Sequence, residues 1–200
     1  MKKTISMLLS ALVISLCFSA TAEAKLPQSW PEFKAEFKTQ ATTPKGAINM
    51  LFKGIYCFMR AVETNNPTLK ADAAKMLRYT LYLDMPLEQS RNYATFYDRL
   101  KDKSYYYIYR SYCEGTSVEN SYTMDPDNFT ILFEKEMEQP DGCVKVLVRS
   151  TGADNLRPIT CQKKPDGLWY TVNMNSVYVQ VREPKSYIEE HMHDHDPDFD

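Results

Sequence analysis

Two hydrophobic periods follow one another along this chain, and the switch between them just after Lys103 does most to limit its fold. From Pro44 to about Val62, Ala47, Ile48, Leu51, Ile55, Phe58, Met59 and Val62 fall together on a helical wheel. Asn49, Lys53, Tyr56 and Arg60 fall on the other side, an amphipathic helix of period 3.6. Thr43 and Pro44 supply an N-cap and a first helical residue, and Asn65-Asn66-Pro67 ends the helix. A second helix is expected from about Thr68 to Leu83, with Leu69, Ala73, Met76, Leu77 and Leu81 inward. A third is expected from Leu87 to Leu100. Beyond Lys103 the apolar residues alternate instead. SYYYIYRSY, FTILFE, CVKVLVR, RPITCQK, LWYTV and SVYVQVR read as strands separated by turns at Pro140-Asp141-Gly142, Gly152 to Asn155 and Pro165-Asp166-Gly167. Helices followed by a meander predict an α+β domain, with the helices packed on one face of an antiparallel sheet.

The N-terminus carries a separate message. Lys2-Lys3, the apolar run ISMLLSALVISLCFSA and Ala22-Glu23-Ala24 have the three parts of a secretory signal peptide. The run is shorter than the ~20 apolar residues of a membrane span. Leu16 stands before Cys17, where a lipoprotein peptidase wants a small residue. The expected layout is a signal peptide at 1–24, a lead-in at 25–41, one α+β domain at 42–186 and an acidic, His-containing tail at 187–200. The mature chain is expected to be secreted or periplasmic, with no stable membrane insertion after cleavage.

Charge excludes one partner class. The chain has 24 Lys and Arg against 26 Asp and Glu. Six of the acids follow Ser186, where there is no Lys or Arg, and the body has no basic patch. Nucleic acid is therefore not an expected partner. Cys57, Cys113, Cys143 and Cys161 are even in number and, in an exported chain, permit two disulfides. Cys143 and Cys161 lie in successive predicted strands, but the pleat puts Cys143 with Lys145 and Arg149, opposite the valine face, whereas Cys161 shares a face with Ile159. Buried free thiols are the competing expectation.

The three histidines, His191, His193 and His195, all fall in the last ten residues. Ser-His-Asp, Cys-His and H-E-x-x-H chemistry are thereby removed from the body of the domain. The scattered glycines form no phosphate-binding loop. Carboxylates remain. Glu114 and Glu119 bracket a loop beside Asn120 and Tyr122 and would serve as acid and base if held ~5–9 Å apart. The competing reading is a structural turn, with Gly115 at positive φ and Asn120 bonded to backbone. Arg149, Asp154 and Arg157 around Gly152 read either as a ligand clamp or as an ion-paired hairpin tip. No cofactor is expected. His191, His193 and His195 alternate with acids and would bind a divalent metal weakly, or simply form a solvated terminus.

Several of these motifs together resemble a known family. Glu114-Gly115, Glu119-Asn120, the Ser-x-Gly-Ala-Asp-x-x-Arg-Pro stretch from Ser150 to Pro158, Lys-x-Asp-Gly-x-Trp from Lys164 to Trp169 and the valine-rich segment Val177 to Pro184 are similar to those of an exported bacterial family catalogued as a domain of unknown function. TPKGAINMLFKGIYCFM resembles its first helix, and the likeness covers most of residues 42–184. That family has plainer residues where this chain has Cys143 and Cys161, so a disulfide here would be a local feature. The order of helices and meander is also similar to the nuclear-transport-factor-2-like cone, a likeness of fold alone. Together the residues predict a non-catalytic binding module for an unspecified ligand, using Glu114, Glu119, Asn120, Tyr122, Arg149, Asp154 and Arg157. The alternative is a carboxylate-dependent hydrolase acting on glycans.

Overall fold

The computed structural model describes residues 25–191. The expected signal segment and residues 192–200, with His193 and His195, lie outside that range. Helices α1 (Trp30–Gln40), α2 (Pro44–Glu63), α3 (Pro67–Thr80), α4 (Ala94–Lys101) and α5 (Tyr106–Arg110) come first. Strands β1 (Phe133–Glu138), β2 (Cys143–Val148), β3 (Arg157–Lys163) and β4 (Trp169–Asn173) follow, and a short α6 (Lys185–His191) comes last. The strands pair antiparallel in chain order, so the α+β meander is as expected. Among the described residues no helix is long and apolar enough to cross a membrane.

The starts of the first helices follow from their caps. Ser29, Thr43 and Asn66 each accept a first-turn amide and each precedes a helix with proline near its start. Leu26, Phe33 and Phe37, in the expected lead-in, are fully buried in the main core. Helix α2 runs through the middle, with α1 and α3 on one side and α5, β3 and β4 on another. It is buried without a break from Met50 to Met59, which corrects the expectation of a solvent-facing side. Lys53 is buried as the partner of Glu36. The Tyr56 hydroxyl donates to the Tyr109 carbonyl at 3.0 Å. A second layer of structure covers much of the polar side, where Lys53, Tyr56 and Arg60 each find a partner. Ile55, at full burial, is an anchor of this arrangement. Ile55→Ala is expected to cost about 2–5 kcal/mol in chemical denaturation; an unchanged midpoint would remove α2 from the core.

Three elements differ from expectation. SYYYIYRSY is not a strand but a 3-10 turn, Lys103–Tyr105, leading into α5. Its main-core residues, Tyr106, Tyr109 and Tyr112, recur every three positions, while Ile108 enters a second, smaller core. Burial against α2 and α4 outweighs the strand preference of aromatic residues. The third helix is broken into turns at Leu87–Gln89 and Arg91–Tyr93 before α4. SVYVQVR pairs with no strand, and Val179 between the buried Val177 and Val181 is 41% exposed.

Candidate functional site

The loop from Glu114 to Tyr122 is tied by its own polar groups. Gly115 takes φ +78°, as the turn reading requires. Asn120 donates from Nδ2 to the Gly115 carbonyl at 2.8 Å and accepts from the Ser117 amide at 2.8 Å. Glu114 and Glu119 are exposed on this turn. Ser121 and Tyr122 then adopt left-handed backbone, φ +51° and +54°, a conformation that costs a non-glycine residue about 1 kcal/mol or more. The reversal turns the Tyr122 ring inward to full burial beside Ile108 and Val181. There its hydroxyl donates to the Arg182 carbonyl at 2.7 Å, and burial pushes its pKa up to about 12.

The hairpin residues do not converge into a clamp. Arg149 bonds Glu134 at 3.1 Å, Asp154 pairs with Arg182, and Arg157 donates to the Gln180 carbonyl at 3.2 Å. Two of the three therefore reach the same segment, residues 176–184. Here, in place of a strand ladder, side chains from the body hold the backbone. Tyr112 donates to the Val177 carbonyl at 3.0 Å, Arg99 to Tyr178, Arg157 to Gln180 and Tyr122 to Arg182. The Arg182 amide returns a bond to the Gly152 carbonyl at 2.8 Å, and the Lys185 amide to Val118 at 3.0 Å. Tyr122 from the loop and Gly152, Asp154 and Arg157 from the hairpin thus act together as a latch for a C-terminal strap.

What the latch positions is a cleft. Strap, α5 and α6 border one open hollow of about 430 Å³, lined by Lys103, Tyr106, Arg110, Ser121 and Glu190 among others. A second, of about 250 Å³, is lined by Tyr105, Gln180 and Glu183. Ser104, Tyr107 and Tyr187 line both, so the two hollows adjoin. Each wall has a local cause. Asp102 caps the turn into α5 through the Ser104 amide at 2.9 Å. Tyr106 is pinned by its hydroxyl on the Leu100 carbonyl at 3.1 Å, and burial holds its pKa high. Tyr107 stacks on Tyr122 and accepts a bond from Gln180. Opposite, the Ser186 amide donates to Ser121 Oγ at 3.1 Å, and Tyr187 stacks on His191 with ring centroids 4.0 Å apart. Of the residues singled out from sequence, only His191 lines this cleft. Tyr122 lies beneath it, and Glu114, Glu119, Asn120, Arg149, Asp154 and Arg157 stand apart. Reading the tyrosine run as a strand concealed Tyr105 and Tyr107. The three-residue spacing of Tyr106 and Tyr109 was the signal for a helix.

Other chemistry is quiet. Among the described residues no three His, Cys, Asp or Glu side chains are grouped to hold a metal ion. Cys57, Cys113, Cys143 and Cys161 are free thiols. Cys143 stands opposite Gln162 and Cys161 opposite Val144, the alternation that the pleat requires. Burial pushes Cys57 and Cys161 up to about 12 and Cys113 up to about 11. Since the thiolate is the reactive form, iodoacetamide on the native protein is expected to modify Cys143, 8% exposed at its strand end, before the other three. Peptide mass spectrometry reads the order; rapid native labelling of Cys113 would contradict its burial.

No curated protein and no solved structure is detectably similar to the chain. The family model described as a domain of unknown function, DUF6935, matches residues 25–185, and the chain belongs to that family.

Proposed function

We propose that this protein is a non-catalytic binding module working outside the cytoplasm, with the tyrosine cleft between α5 and the strap as its ligand site. The observation that carries this reading is the pair of adjoining hollows walled by Tyr107 and Tyr187. A concave surface with aromatic walls and a few converging polar groups is what ligand sites are built from. Its walls are set by the latch before any ligand arrives, which lowers the ordering cost of binding. The hydrolase reading, resting on Glu114 and Glu119, needs those two carboxylates to face one cleft. Glu114 and Glu119 instead sit on an exposed, self-bonded turn. The test is a thermal-shift screen of the mature protein with sugars, amino acids, dipeptides, nucleosides and fatty acids. A ligand at a hundred times its Kd is expected to raise the Tm by about 5 °C or more. The shift should be lost in Tyr187→Ala. No shift with any class, or one unaffected by the variant, would count against the cleft.

The export half of the proposal has its own support. The cleavage motif read from the sequence ends at Ala24, and Leu26, two residues on, is buried with its amide bonded to Asp127 at 3.0 Å. Mass spectrometry of exported protein is expected to find a mature N-terminus at Lys25, within a residue or two. An intact Met1 in the membrane fraction would defeat this.

A further inference from the structure

We infer that the cleft takes a neutral oligosaccharide, an inference that rests on the cleft being the binding site proposed above. Three features select this class. First, the tyrosines that wall the cleft remain open to solvent: Tyr105 and Tyr107 are half-buried and Tyr187 is 41% exposed. A sugar ring has one flat face of C–H groups and an edge of hydroxyls. Tyrosine offers the matching pair, an apolar ring and a polar tip. Second, beside the charged residues and His191, the polar groups among the rings include hydroxyls and an amide, from Ser104, Ser121, Ser186 and Gln180. These both donate and accept, as a row of sugar hydroxyls demands. Third, the charges balance. Lys103 and Arg110 stand against Glu183 and Glu190, and Arg110 already bonds Glu63 at 2.6 Å. A phosphate or carboxylate ligand calls for unopposed guanidinium or ammonium groups, whereas an acyl chain calls for a largely apolar pocket. The two hollows meeting at Tyr107 and Tyr187 fit consecutive rings of one chain better than a single compact molecule.

The experiment begins with an array of neutral oligosaccharides of plant, fungal, bacterial and animal type probed with the mature protein. Calorimetric titration follows, with the best tetrasaccharide and its monosaccharide. The tetrasaccharide is expected to bind at least ten-fold more tightly than the monosaccharide. Tyr187→Ala and Tyr105→Ala, on opposite walls, should each weaken it ten-fold or more while leaving the Tm within a few degrees. Sugar binding that both variants retain would overturn the site. An array without signal would overturn the sugar assignment. If the thermal-shift screen then yields a ligand of another class lost in Tyr187→Ala, the binding-cleft reading survives the failure. If it yields none, both fall.

Discussion

Alanine in place of Gly46 will lower the stability of this protein by about 3–5 kcal/mol, although helix propensity alone assigns the opposite sign. In a helix interior, Gly→Ala normally gains about 1 kcal/mol. Gly46 lies in the first turn of α2 with ordinary helical backbone, so φ is not the reason for glycine. The reason is the corner between α1 and α2. The chain turns through residues 41–43, and the Gln40 carbonyl oxygen would lie 1.8 Å from a Cβ at position 46. That oxygen is backbone and cannot swing aside as a side chain would. Thr43 Oγ1, which accepts the Gly46 amide at 3.1 Å, would be displaced with it, so the cap is lost as well. For a domain of this size the loss corresponds to a fall in Tm of about 6–20 °C. Differential scanning calorimetry of Gly46→Ala beside Lys45→Ala, an exposed neighbour, tests this directly. A Gly46 variant as stable as the Lys45 one would mean that the corner is more open than described.

The same corner shows which parts of the fold were readable. Thr43-Pro44 announced a helix start because a cap is a local device, satisfied by atoms three residues away. The turns at Gly142 and Gly167 were readable for the same reason: their positive φ, +78° and +83°, is a property of the residue itself. The strands CVKVLVR and RPITCQK, with alternating faces, were also legible, and the pleat foretold that Cys143 and Cys161 would not meet. What failed depended on distant neighbours. Tyr56 falls on the polar side of α2 by period, yet the packing of α5 buries it. SVYVQVR has a strand's alternation, but its carbonyls are taken by Tyr112, Arg99, Arg157 and Tyr122, contributed from four separate places in the chain. The candidate site suffered most. Of the motif residues around Glu114 and Gly152, Tyr122, Gly152, Asp154 and Arg157 hold the strap, whereas Asn120 ties its own loop and Arg149 pairs with Glu134. The cleft that the latch positions is walled by Tyr105 and Tyr107, which sequence alone assigned to a strand, and by Tyr187, which it assigned to the tail.

The latch can be tested as a coupled unit through Gly152 and Tyr122. A Cβ at position 152 would stand 2.2 Å from the Tyr122 hydroxyl oxygen, 3.0 Å from the ring carbon that bears it and 3.1 Å from the Val181 Cβ. Gly152→Ala must therefore move the ring or the strap, and either movement breaks the Tyr122 bond to Arg182 and the Arg182 amide bond to Gly152. The expected cost is about 3 kcal/mol, from overpacking together with lost hydrogen bonds. Tyr122→Phe removes only the hydroxyl and leaves the Arg182 carbonyl without that donor, at about 1–2 kcal/mol. The two costs should not add. In the double variant the atom that would clash at 2.2 Å is gone, so its loss of stability should fall short of the sum of the single losses by about 1 kcal/mol or more, a coupling resolvable in a denaturant double-mutant cycle. Hydrogen exchange supplies a second readout, because the Arg182 and Lys185 amides are bonded through the latch and should exchange faster in Gly152→Ala while those of α2 hold. Strict additivity with unchanged exchange at Arg182 would show that Tyr122 does not close over Gly152. The strap would then need another anchor, and the tyrosine cleft would lose the device that sets its walls.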